Sequence, residues 1–209
     1  MTVRVLVLTA ILWGLSQASA DLRVAVVDRD GNPVADVVVM LEGPSLPETP
    51  EPGGQNIMDQ VNIAFEPHVL VVQQGAEVEF PNSDSVAHHV YSFSKPNNFV
   101  LPLYRGEKHE PIRFEHPGVV VLGCNIHDGM VGYIVVTESA HFGKTNADGE
   151  LLFAIEADTK AQVRIWSPRF RDKADTLIRE IDLTTTESLT FELQKKLRPE
   201  HRSEPWQDY

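Results

Sequence analysis

Short valine-rich runs, broken again and again by Gly, Pro, Asn and Asp, fill most of this chain and leave little room for helix. Leu22–Asp28 and Val37–Glu42 flank the turn signal Asp30-Gly31-Asn32-Pro33. Further strand-like runs follow at Val61–Phe65, Val69–Gln73, Ala76–Phe80, His89–Phe93, Ile112–Phe114, Val119–Leu122 and Val131–Thr137. Another set occupies Glu150–Ile155, Ala161–Trp166, Leu177–Leu183 and Ser188–Leu193. Only Lys173–Arg179 reads as helical. Many short strands with turn residues between them predict an all-β chain built as β-sandwiches.

Gly43–Asn56 carries four prolines and three glycines and reads as a linker, residues 43–56. The runs on either side of residues 57–138 share a turn style, Asp28-Arg29-Asp30-Gly31-Asn32-Pro33 in one and Thr145-Asn146-Ala147-Asp148-Gly149 in the other. This favours a second small β-sandwich formed discontinuously by residues 21–42 with 143–195, into which 57–138 is inserted. Tandem domains are the simpler alternative. Residues 196–209 are polar and read as a flexible tail.

The first twenty residues form a separate unit. One Arg, the apolar run Val5–Leu15 and the small-residue ending Ser16-Gln17-Ala18-Ser19-Ala20 make a secretory signal, with cleavage expected after Ala20. The apolar run is too short to span a membrane, where about 20 residues are needed. A periplasmic protein without stable membrane insertion is expected. The net charge of −12 argues against nucleic acid, which selects basic faces.

An exported chain usually pairs its cysteines, yet Cys124 is the only one. It ends the run Pro117–Gly123, which is apolar almost throughout, as a strand buried on both faces would be. Within the next six residues come His127 and Met130, and upstream lie His88 and His89. Cysteine, two histidines and a weak axial methionine form the donor set of an electron-transfer copper centre, while thiolate and imidazole also suit zinc. Adjacent strand residues face opposite ways, so one of His88 and His89 can reach the metal, and alternation does not choose between them. His116 stands about 26 Å of extended chain before Cys124 and cannot share its metal unless the segment folds back.

Asn82, five residues, His88-His89-Val90, then Cys-x2-His-x2-Met resembles the blue copper cupredoxins. The ligand loop is as short as that of amicyanin. Phe65-x-Pro67 and Gly75-x-x-Val78-x-Phe80-x-Asn82-x-Asp84 match the opening strands of such domains, so the resemblance covers roughly residues 58–138. It implies a cupredoxin Greek-key β-sandwich with one type 1 copper held by His88, Cys124, His127 and Met130. Asn82 would stand behind them, hydrogen-bonding the His-bearing loop to the Cys-bearing loop. The whole chain also resembles exported bacterial proteins labelled methylamine utilisation proteins, in which a cupredoxin joins a carboxypeptidase-regulatory-like sandwich. Two departures stand out: His89 where Asn is usual, and Asp128 beside His127 where the electron port is commonly apolar.

The function expected is electron transfer by a protein that is not itself an enzyme, exchanging electrons with a redox donor and acceptor such as a cytochrome or a dehydrogenase. The competing readings are copper trafficking or sensing, and an interaction module with structural copper. No His-x-His pair for further copper, no G-x-S-x-G and no HExxH occurs.

Overall fold

The computed structural model describes residues 20–46, 56–95, 97–106, 109–155, 159–171 and 177–199. The expected signal (residues 1–19 of it), most of the linker (47–55) and the end of the tail (200–209) lie outside the described residues.

The strands, in chain order, are β1 (Ala20–Val27), β2 (Val38–Glu42), β3 (Asp59–Val61), β4 (Ala64–Glu66), β5 (Val69–Gln73), β6 (Glu77–Val78), β7 (Val90–Ser92) and β8 (Phe99–Val100). Then come β9 (Ile112–Arg113), β10 (Gly118–Cys124), β11 (Val131–Thr137), β12 (His141–Lys144), β13 (Glu150–Ile155), β14 (Lys160–Trp166), β15 (Leu177–Asp182) and β16 (Ser188–Glu192). The described chain is all-β. The helix expected over Lys173–Arg179 is not there in its described part, because Leu177–Arg179 pairs with Ile165–Val163 as the start of β15; residues 172–176 lie outside the described residues. β15 buries Ile181 and half-buries Leu177, with Ile178, Arg179 and Glu180 exposed, and the three apolar positions of Lys173–Arg179 do not distinguish such a strand from a helical turn.

Two cores divide the molecule. The first and last strands make a sandwich of the sheets β13-β1-β16 and β12-β2-β14-β15. Its interior is closed by Val24, Val39, Leu41, Val163, Ile165 and Phe191, each at most 1% exposed. Between β2 and β12 the chain builds the other sandwich, on the five-stranded sheet β5-β11-β10-β7-β8. The ladders β3-β4 and β6-β9 close its opposite side, linked through the bridges Ile57–Glu79 and Gln60–Asn82. Met58, Phe65, Phe114, Leu122 and Ile134 fill this second core, and burying each such side chain contributes about 1.5–3 kcal/mol. Phe65 lies against the backbone of β11 where Gly132 has no Cβ, since one there would sit 2.8 Å from the phenylalanine.

The strand Gly118–Cys124 departs from the reading as buried on both faces. Val120, Leu122 and Cys124 point into the core, while Val119 and Val121 on the other face are exposed. The outer face of β5 and β11 is covered by the flanking sandwich, through Val69 and Val135 against Val38 and Met40, with Tyr133 and Trp166 beside them. At its edge Val119 of β10 stays 37% exposed, lining a cavity with Met40, Arg164 and Trp166 of the flanking sandwich.

Candidate metal centre

Strand alternation puts Cys124 inward at the end of β10, where its backbone pairs with Val90 of β7. Two residues before Val90, His88 is fixed by a reciprocal backbone bridge with Tyr104, the two N–H···O bonds being 2.9 and 3.0 Å. His127 stands in the turn after β10, which closes as the Met130 amide donates to the His127 carbonyl at 3.2 Å. Two segments distant in sequence, one carrying His88 and the other Cys124 and His127, thus meet at one end of the sandwich.

Their donors converge. Cys124 Sγ lies 3.5 Å from His127 Nδ1 and 3.8 Å from His88 Nδ1, and the two Nδ1 atoms are 3.0 Å apart. One ion about 2.3 Å from a thiolate and about 2.0 Å from each imidazole accommodates donor separations up to about 4 Å, so the three atoms fit around a single metal. His88 is fully buried, Cys124 is 7% exposed, and His127 is half-buried at the rim. Met130 is buried in the same core cluster as Cys124. His88 is the member of the His88–His89 pair that points to this cluster; His89 is half-buried outside it, and its carbonyl accepts from the Asn125 amide at 3.0 Å.

The electrostatics favour the thiolate of Cys124 and, at the same time, the protonated ring of His88, so a metal must displace a proton from that ring. Burial pushes the Cys124 thiol up, but hydrogen bonds from His88, the His89 and Ile126 backbones and His127 outweigh it and bring the thiol down to about 6. It is therefore largely thiolate at neutral pH. His88 is desolvated, which alone would lower it, yet Cys124 and Asp84 hold it above the usual histidine value. Asp84 is pulled below the usual carboxylate range, the backbone amides of Ile63 and Ser85 and the His88 ring overcoming its desolvation.

Asp84 was not singled out by sequence reasoning as a site residue. Its Oδ2 lies 3.2 Å from His88 Nε2 and also accepts from the Ile63 amide at 2.7 Å. As the acceptor of the Nε2 proton, it leaves the Nδ1 lone pair of His88 aimed at the cluster. Asn82 takes a different part from the one expected. Its amide donates to the carbonyls of Val86 and Tyr104 at 2.9 and 3.0 Å, and its oxygen accepts from the Asp84 backbone. None of these bonds reaches the Cys-bearing loop, which the His89–Asn125 and β7–β10 backbone bonds tie down instead. Asn82 organises the His-bearing loop from within. Tyr104 is the other addition: its hydroxyl donates to the Phe80 carbonyl at 2.8 Å and accepts from the buried Gln60 amide. Its desolvation raises the phenol to about 12, so it stays neutral behind His88.

No family model and no curated protein matches the chain. Among solved structures it is similar to a purple cupredoxin from Nitrosopumilus maritimus, at 24% identity over 40% of this chain and 100% of that one, with a TM-score of 0.36. A reduced Cu(I) form of an amicyanin mutant aligns at 21% identity over 47% of this chain and 98% of that one, with a TM-score of 0.37. The Cu-containing nitrite reductase of Thermus scotoductus SA-01 aligns at 32% identity and a TM-score of 0.38. That match takes in 41% of this chain and only 23% of the reductase. Cupredoxins are thus what the chain is similar to in solved structures as well as in its motif.

Proposed function

We propose that this chain is a type 1 copper protein that carries electrons, in which His88, Cys124 and His127, with the thioether of Met130 as a weaker donor, would hold one copper. The observation that carries this reading is the convergence of a thiolate and two imidazole nitrogens within 4.8 Å of one another. Soft thiolate and thioether beside imidazole select copper over harder ions, and zinc gains little from the methionine. When bound there, copper supplies one-electron redox chemistry.

The protein's contribution is to hold its donors still. Cys124 is anchored by its pairing with Val90 of β7, directly after Gly123 pairs with β11, and His88 by the Tyr104 bridge and the Asp84 carboxylate. Donors set by the sheet need little rearrangement when the charge at the centre changes, which keeps electron transfer fast. His127, half-buried in an exposed loop, gives a short route to the surface. The single donor cluster found among the described residues suits a carrier that works with a redox donor and acceptor, rather than an enzyme that transforms a substrate. The secretory signal read in the sequence supports a periplasmic place for this work.

Repeated reduction and reoxidation of the copper-loaded chain, followed by metal analysis, tests the reading. Full retention of copper with reversible cycling is the expected result. Release of copper at each reduction would favour trafficking instead.

A further inference from the structure

The outer face of the five-stranded sheet is half covered. On β5 and β11 it is buried by the flanking sandwich, whereas on β10, β7 and β8 the same face is open. Register shows which side chains share it. Gly123 pairs with Tyr91, which pairs with Val100, and directly paired residues lie on the same face. Val121 and Val119 follow on that face at the two-residue period and pair with the covered Tyr133 and Val135. The open part therefore consists of Tyr91, Phe93, Val100, Val119 and Val121. Phe93 is 75% exposed, Val100 59% and Val121 45%. It continues a face that elsewhere already serves as an interface.

This patch is joined to the metal centre. The hydroxyl end of the Tyr91 ring covers Gly123, where a Cβ would fall 2.8 Å from the ring, and the next residue is Cys124. Tyr91 in turn packs on Phe93 with ring centroids 4.9 Å apart. An apolar aromatic surface thus runs from solvent to the backbone that carries the thiolate, on the side of the sheet away from the inward-pointing Cys124 side chain.

We propose that this face docks a redox protein of net positive charge whose contact surface is apolar. The inference rests on the electron-carrier reading above. Five side chains expose on the order of a few hundred Å², well short of the roughly 800 Å² per partner of a stable dimer and in keeping with the small interfaces of transient electron-transfer encounters. The partner's net positive charge follows from a chain of net charge −12, which steers cationic proteins toward it and repels a second copy. In the encounter one electron passes between the reduced site and the partner's oxidised centre, with no bond made or broken and no proton moved.

Cytochrome c, a basic redox protein, is the probe. Ferrous cytochrome c added to the reduced, isotope-labelled chain lets amide shifts be read with no electron moving, and they are expected to cluster at Tyr91, Phe93, Val100, Val119 and Val121. With ferric cytochrome c, Phe93→Ser is expected to slow electron exchange about tenfold, as loss of a central interface aromatic does. It leaves the copper absorption unchanged. Leu152→Ser, at a 56% exposed position on the flanking sandwich, leaves the rate unchanged. Shifts confined to Val86, Leu103, Ile126 and His127, with Phe93→Ser exchanging at the original rate, would overturn the docking face and leave the electron-carrier reading intact. No exchange in the unaltered chain would overturn both.

Discussion

His88 is only as good a ligand as the proton on its far nitrogen allows. Asp84 fixes that proton on Nε2, and two backbone amides hold Asp84 in place. Asp84→Asn replaces an anionic acceptor by an amide and weakens this orientation. Loss of such a partner typically costs about ten- to a hundredfold in metal affinity, which chelator competition measures, while Asp84→Glu should recover part of it. The thiol makes a second prediction at the same scale. A free cysteine ionises near 8.5, whereas Cys124 stands at about 6. In the metal-free chain, thiolate ultraviolet absorbance should therefore rise with a midpoint near pH 6 and be lost as pH falls below it. Copper competes with that proton and with the one held by His88, so apparent affinity should climb with pH through the Cys124 window and keep rising until His88, held above the usual histidine value, has also deprotonated. A thiolate midpoint above pH 8 would contradict the hydrogen-bonded thiolate described above.

β10 shows how a strand can be half core and half surface without saying so in its composition. Leu122 is 1% exposed and faces Ile134 and Phe65 in the core, while Val119 on the other face is 37% exposed. Leu122→Ala should cost about 2–5 kcal/mol in urea unfolding, and Val119→Ala no more than about 0.5 kcal/mol. The run Gly118-Val-Val-Val-Leu-Gly123 looks buried on both sides because every side chain in it is apolar, and only the flanking sandwich's packing, ending at β11, decides otherwise. The same limit applies to β8 and β12, each too short or too mixed in composition to announce itself. The strand class and the pairing of Cys124 with His127 were legible because spacing and donor type carry them, whereas the choice of His88 over His89 came from the resemblance to cupredoxins. Asp84 and Tyr104 were not legible, since their roles depend on which loops meet in space. Tyr104 reaches His88 only through a backbone bridge sixteen positions away.

Two sandwiches with separate cores touch through a small cluster at Val38, Met40, Val69 and Val135. A contact of this size couples the halves weakly. Only the sandwich built from β3–β11 carries the His88–Cys124–His127 donors. Metal bound to the folded form alone stabilises that form by mass action. Calorimetry should therefore show two thermal transitions, with copper raising the midpoint of one and leaving the other in place. A single transition that moves as a whole would mean that the two cores unfold as one unit.

The claim on which all of this depends is that Cys124 binds copper as a thiolate, together with His88 and His127. The most direct test is the visible absorption spectrum of the copper(II)-loaded chain beside that of Cys124→Ser. An intense thiolate-to-copper charge-transfer band in the unaltered chain, abolished in the variant, is the result predicted. Stoichiometric copper binding without that band would contradict the account.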